Sequence, residues 1–560
     1  ISDFTSKYGI GLELRLVNPL EIGPGLQKKN GQRGVWMHYR KGLIDPEKGI
    51  YSVQLWRQNK WAANKGVVHP EDAGVRVFAF KEEPVEDTRY RVVDPENILE
   101  ITESAEVEVW PASKTGNAVR IRVSGKWQED LEGRNRVLVV QQYKTPEMDY
   151  FSDEAPKFLH EMIDRYVDAG VKLNALYSDE MHIQQDWHYF GHHDHGQFAL
   201  RYVSPGLEEK FAEAYGEEYR DFARYLIYFT YGQEDFASNL SATEGVMHVM
   251  GPEPEDIHRT ALLRSRYYKF LQNGVTDLMT DAKHYAERRF GHKLEARAHA
   301  TWAESPTIDY WRTYRRHSPA LRYEYTSNFQ WSNTVHQAAA ACYDYFKWND
   351  YLTGGGNDHP EGGWLDRNYF GLALACSTGI LNEVPYAYCA HWGMPREVSH
   401  RRTDLVNAYG AAGSPLFGMV QDMQHRDSEV LMLYPLDLVA AEECFGSWMT
   451  QYGYTNYVTQ AKLLQRGKVV DGGIEMAGRR FTTLVALFEP FPSKQLLEMM
   501  QQLADQGGRV IWSAAPPMID AGGEPVSETW GAMFGVKTSP LGIAAPGQIV
   551  TFSGPLADVP

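Results

Sequence analysis

Between residues 134 and 393 the chain alternates short β-rich runs with long amphipathic helices, and no other feature narrows its fold as far. Asn135–Tyr143 (NRVLVVQQY) reads as a buried strand, and EAPKFLHEMIDRYVD (154–168) has helical spacing that stops at Gly170. VKLNALYSDE follows at once and ends on Asp179 and Glu180. Helical stretches then cover about 207–231 and 255–290, the second stopping at Gly291. KLEARAHATW (293–302), RYEYTSNFQW (322–331), FKWNDYLTGGG (346–356) and EVPYAYCAHWG (383–393) come next, each bounded by Gly, Pro or polar residues. Such alternation implies parallel βαβ units, because only a crossover of this length returns the chain to the same end of a sheet. GIGLELRLVN (9–18) and GIYSVQLWRQ (49–58) supply a first and a second strand, which makes NRVLVVQQY the third. The fold class expected is α/β, a (β/α)8 TIM barrel, with an open doubly wound sheet as the alternative.

Two stretches depart from this pattern. Residues 74–130 carry GVRVFAF, YRVV, AEVEVW and AVRIRVSGKW, which alternate at period two and predict a small antiparallel β insertion. Beyond 425, SEVLMLYP, FTTLVALFEP and GRVIWSAAPP interleave with SKQLLEMMQQLADQGG, predicting a second α/β unit of the open-sheet type. The expected division is 1–73 for the start of the barrel, 74–130 for the insertion and 131–425 for the rest of the barrel. A flavodoxin-like domain at 426–520 and the start of a C-terminal β module at 521–560 complete it.

Composition removes several function classes. With 56 Lys and Arg against 73 Asp and Glu, the net charge is −17, which opposes a nucleic-acid partner that needs a basic face. Cys342, Cys376, Cys389 and Cys444 form no close pair, so neither a disulfide framework nor a structural zinc site is expected. No apolar run reaches the length of a membrane span, and the compartment is undetermined. The 15 Trp, 33 Tyr and 23 Phe exceed what packing ordinarily uses, and stacking on sugar rings is one use for the surplus.

In a barrel the reacting groups project from the carboxyl ends of the strands. The fourth strand ends on Asp179 and Glu180, and neighbouring strand residues face opposite ways, so Glu180 is assigned to the pocket and Asp179 to a supporting contact. Glycoside cleavage needs a second carboxylate opposite the first. The seventh strand offers Asp358 and Glu361 in GGGNDHPEGGW, with Trp364 as a sugar platform. Glu304 and Glu383 are further carboxylates, the latter set aside because it opens the eighth strand. Arg15, His182, His299, Trp302, Asn328, Trp331 and Trp392 stand at or after strand ends and suit hydroxyl recognition and stacking. The loop MHIQQDWHYFGHHDHGQ gathers histidines without the spacing of a zinc motif, so no metal or other cofactor is assigned.

The stretch TSNFQW…YDYFKWNDYL (326–352) resembles the β-galactosidase family whose barrel precedes a trimerisation domain. SPGLEEKFAEAYG (204–216) and LLRSRYYKFLQNGVTDLM resemble barrel segments of large α-L-rhamnosidases. The 426–520 unit is similar to the flavodoxin-like domain that follows the barrel in both groups. The resemblance implies a Glu acid/base ending strand four, which Glu180 matches, although Asp179 replaces the Asn usual before it. It also implies a Glu nucleophile near the end of strand seven, for which both Asp358 and Glu361 stand. The function expected is therefore a glycosidase removing a terminal sugar from an oligo- or polysaccharide, with a homo-oligomer contact through the flavodoxin-like domain. The alternatives are a non-catalytic carbohydrate-binding protein and a metal-dependent hydrolase built on the histidine loop.

Overall fold

The computed structural model describes residues 1–17, 19–58, 61–63, 66–68, 71–111, 118–145, 147–178, 200–230, 247–299, 347–350, 381–382, 427–437 and 455–536. Within them, five strands form one parallel sheet in chain order: Glu13–Val17, Ala175–Ser178, Glu295–His299, Lys347–Asp350 and Leu381–Asn382. Helices precede two of these strands. Glu154–Asp168 leads into Ala175–Ser178, and the 37-residue helix Pro254–Phe290 leads into Glu295–His299. The long helix stops where Gly291 adopts φ 75° and returns its N–H to the Glu287 carbonyl, a left-handed cap that glycine accepts without strain. Alternation sorts the strand residues. Leu14, Leu16, Leu176 and Ala296 join the apolar core that also holds Leu159 and Ile163 of the Glu154–Asp168 helix.

Two strands expected in the barrel lie elsewhere. Ile50–Gln58 pairs antiparallel with Ala118–Lys126, which itself pairs antiparallel with Ala105–Pro111. Its Tyr51, Val53 and Leu55 are buried while Ser52 and Gln54 are exposed, the period of a strand with one wet face. Arg136–Thr145 lies between Gly34–Leu43 and Glu71–Phe80, antiparallel to both. This five-stranded sheet is buried on both sides. Val77, Ala79, Val137 and Val139 face a cluster with Val53, Ile121 and Val123, whereas Phe78, Phe80, Leu138 and Val140 belong to the main core. Burial on two faces gives the continuous apolar run that also marks a parallel barrel strand, so the sequence cue is shared by both arrangements. RYEYTSNFQW and EVPYAYCAHWG lie outside the described residues. Lys347–Asp350 pairs directly with Glu295–His299, so among the described strands it is the next neighbour of the fifth expected strand.

The second α/β unit has a four-stranded parallel sheet ordered Asn456–Val458, Val430–Leu433, Thr483–Ala486 and Arg509–Trp512. Ser493 caps its helix Lys494–Asp505 by accepting from the Leu496 N–H, and Leu496, Leu497, Met500 and Leu503 form the buried stripe.

Many rings are core residues. Phe211 meets Phe222 at 5.2 Å, Phe229 meets Tyr267 at 5.1 Å, and Tyr267 meets Tyr268 at 5.3 Å between ring centres. The 3-10 turns Glu217–Arg220 and Phe222–Phe229 replace the later part of the helix expected over 207–231, and their irregular backbone is tied by tyrosine hydroxyls. Tyr39 donates to the Phe229 carbonyl and Tyr228 to the Val93 carbonyl. Part of the aromatic surplus is therefore packing.

A polar network joins the antiparallel sheet to the strand Met247–Val249. Lys41 Nζ lies 2.7 Å from Glu82 Oε2, His248 Nε2 lies 2.9 Å from the same oxygen, and Arg136 Nε reaches Glu82 Oε1 at 3.2 Å. The Lys41, Glu82 and His248 side chains are 2, 3 and 0 % exposed. Burial pushes the Glu82 carboxyl up, but the hydrogen bond from His248 and the Lys41 charge outweigh it and hold the group at about 2. A carboxylate depressed in the folded state stabilises above its unfolded value of 4.5, and that contribution fades as the pH falls toward 2. Glu82→Gln is therefore expected to destabilise the protein at pH 7 by about 3–5 kcal/mol, the cost of breaking a buried pair. The difference should shrink in urea titrations at pH 3, and equal midpoints at pH 7 would show that the network adds nothing.

Candidate functional site

The carboxyl ends of the five parallel strands are Val17, Ser178, His299, Asp350 and Asn382. Their register runs across the sheet: Arg15 is level with Tyr177, Tyr177 with Arg297, and Arg297 with Lys347. One step further, Ser178 is level with Ala298 and Ala298 with Trp348. Then His299 is level with Asn349 and Asn349 with Leu381, and last Asp350 with Asn382. Four of the five strands at this rim thus end on a polar residue, Ser178, His299, Asp350 and Asn382.

Of the residues chosen from sequence, Arg15 is described in full. Its side chain is exposed, and its guanidinium carbon lies 5.9 Å from the centre of the Tyr177 ring, on the face opposite Leu14 and Leu176. His299 is fixed in register at the end of its strand, two residues beyond Arg297. Asp179, Glu180, His182, Trp302, Asn328, Trp331, Asp358, Glu361, Trp364 and Trp392 lie outside the described residues. So does the histidine loop, and among the described residues no three metal-ligating side chains gather.

Sequence reasoning passed over two features of this rim. Asn349 and Asp350 close the fourth strand of the sheet, within a segment from which only the later Gly-rich turn was drawn. The strand Leu381–Asn382 ends where the eighth strand was expected to begin, so Glu383 is the residue that follows a strand end. The ground for setting Glu383 aside is thereby removed. The signal was the pair Leu381-Asn382 itself, too short to register as a strand on pattern alone.

The second parallel sheet has a carboxyl edge of its own, the place where open α/β sheets ordinarily hold ligands. Here the long helix covers it. Asp437, four residues past Leu433, takes an ion pair from Lys269 at 2.6 Å and a short hydrogen bond from Ser265. Glu489, three residues past Ala486, lies 3.7 Å from Lys269 and accepts from Gln460 at 2.8 Å. Both carboxyl side chains are almost fully buried.

No family model matches the chain, and no curated protein matches it. Three solved structures similar to it are β-galactosidases. The enzyme from Bacillus circulans sp. alkalophilus is 12 % identical with a TM-score of 0.35, over 70 % of this chain and 59 % of that one. The enzyme from the psychrophilic Marinomonas ef1 is 10 % identical with a TM-score of 0.35, over 67 % and 61 %. Gan42B, a GH42 β-galactosidase of G. stearothermophilus, is 11 % identical with a TM-score of 0.28, over 68 % and 58 %. The chain thus spans less than two thirds of the length of each.

Burial, with Asp437 beside it, pushes the Glu489 carboxyl up to about 8 against the pull of Lys269. A carboxyl that keeps its proton longer when folded loses stability as the pH rises from the unfolded 4.5 to about 8. Glu489→Gln keeps the shape and discards the titration. The variant is expected to gain on the parent protein in unfolding midpoint between pH 5 and 8.5, whereas parallel curves would place the proton on another group.

Proposed function

We propose that this chain is a glycoside hydrolase that removes a terminal sugar from an oligo- or polysaccharide, with Glu180 as general acid/base at the carboxyl edge of a (β/α)8 barrel. What carries the proposal is the rim: parallel strands in chain order whose ends lead into or carry Asp179-Glu180, His299, Asp350 and Asn382-Glu383. Continued by one residue, the register would set Asp179 level with His299, and by two residues Glu180 level with Asp350 and Asn382. Protonation of the leaving oxygen by one carboxyl and attack or water activation by another is the chemistry such a rim supports.

The second carboxylate is assigned to Glu383, Asp358 or Glu361. Neighbouring strands lie about 4.8 Å apart, so a flat sheet would hold Glu180 and Glu383, three strands apart, roughly 14 Å from each other. Curling into a barrel brings such ends toward the ~5–5.5 Å of retaining or the ~6.5–9.5 Å of inverting enzymes. Strict alternation past Ser178 would turn Asp179 toward the face of Arg15 and Tyr177. A break in the pleat, of the kind the neighbouring strand makes between Arg15 and Val17, would turn Glu180 to that face instead.

Glu180→Gln is expected to lower kcat on an aryl glycoside by about 10²–10⁴ with the circular dichroism spectrum unchanged. Asp179→Asn should retain more activity. Full activity in Glu180→Gln with loss in Asp179→Asn would move the acid to Asp179, and full activity in both would end the proposal. Among Glu383→Gln, Asp358→Asn and Glu361→Gln, the variant with the comparable loss identifies the partner.

A further inference from the structure

A cleft of about 610 Å³, lined by none of the strand-end residues of either parallel sheet, opens between Asn30–Arg33, the turn at 149–154 and the start of the helix Pro205–Tyr215. We propose that this cleft binds a polyhydroxylated ligand of mono- to disaccharide size, uncharged or carrying an ammonium group, and that it does so independently of any catalytic edge. The volume falls in the range of small-molecule sites, roughly 300–1,000 Å³. Ser152 lines the cleft, is 5 % exposed, and its Oγ has no hydrogen-bond partner among the described residues. A buried hydroxyl left unmatched is rare in a folded protein, and a ligand hydroxyl supplies the missing partner once χ1 turns Oγ outward.

The wall behind Ser152 is rigid. Asp149 accepts hydrogen bonds from Ser204 Oγ at 2.5 Å, from the Gly206 N–H at 3.0 Å and from the Phe151 N–H at 3.1 Å. A Cβ at Gly206 would come within 2.8 Å of the Ser152 nitrogen, so the helix start sits directly on the turn.

Charge selects the ligand class. The lining holds six carboxylates and three cations, and each cation is already engaged with an acid of the same cleft. Arg33 and Lys144 face Glu71 at 2.6 and 3.9 Å, and Lys210 faces Asp153 at 2.8 Å. Acceptors remain in excess, with the exposed Glu209 and Glu213 one helical turn apart. Hydroxyl and ammonium donors satisfy that surplus, whereas an anion is repelled.

Calorimetric titration of the full chain with glucosamine, lactose and glucuronate tests this. Glucosamine and lactose are expected to bind saturably, and glucuronate is not. Ser152→Ala should weaken both by several-fold. The double reversal Glu209→Lys and Glu213→Lys should weaken glucosamine by about tenfold or more through lost charge-assisted contacts, with aryl-glycoside turnover unchanged in both variants. The proposal is overturned if no probe binds, if affinities are the same in the parent and both variants, or if glucuronate binds the parent as tightly as glucosamine. Because turnover is read separately, failure here leaves the hydrolase proposal standing, and the reverse also holds.

Discussion

The 2.6 Å contact between Lys269 and Asp437 fixes how the two α/β units of this chain meet. Lys269 belongs to the helix Pro254–Phe290, whose Leu263, Tyr267, Leu271, Val275 and Ala282 are built into the core beneath the first parallel sheet. The same helix sends Leu262 against Phe491 and Ile519, Arg266 to the Ala521 carbonyl and Asp277 to Lys462 of the second unit. After Gly291 it runs directly into the strand Glu295–His299. The position of that strand, and of the histidine that ends it, is therefore coupled to the docking of the second unit rather than to the first core alone.

Two parallel sheets in one chain consequently have carboxyl edges with different fates. In the second unit the loop carboxylates after the strands are buried, paired with a lysine and closed over by a helix. In the first, Arg15 is exposed within its strand, Ser178 is buried at the end of the next, and the chain passes straight from strand ends into acidic, amide and imidazole residues. Burial with a fixed counter-charge suits docking, and the second edge is used that way.

Much of this was legible from pattern. The helices at 154–168 and 254–290, the strands at 175–178 and 295–299 and the second parallel sheet all stand where amphipathic spacing and glycine stops put them. The misassigned strands failed for a physical reason. Arg136–Thr145 is buried on both faces without being parallel, and no local cue separates those cases. Ile50–Gln58 did carry a cue in its strict alternation, which marks a strand with one solvated face. Of the residues chosen for the site, Arg15 lies within the first parallel strand and His299 ends the third. Asp350 and Asn382 were passed over because strand limits are the least certain product of periodicity, and two residues decide which group stands at a rim.

The tyrosines of the main core carry a separate consequence. Tyr202, whose hydroxyl donates to the Met148 carbonyl, and Tyr228, which donates to the Val93 carbonyl, are enclosed, and burial raises both phenols well above their ordinary value. Tyr225 is likewise pushed up to about 12 by burial. Tyr225 and Tyr228 belong to the irregular 3-10 turn and the Tyr202 ring packs on Trp36, Tyr150 and Phe151, so their ionisation requires this core to open. In alkali, phenolate absorbance from these tyrosines thus becomes an optical signal that this core has opened.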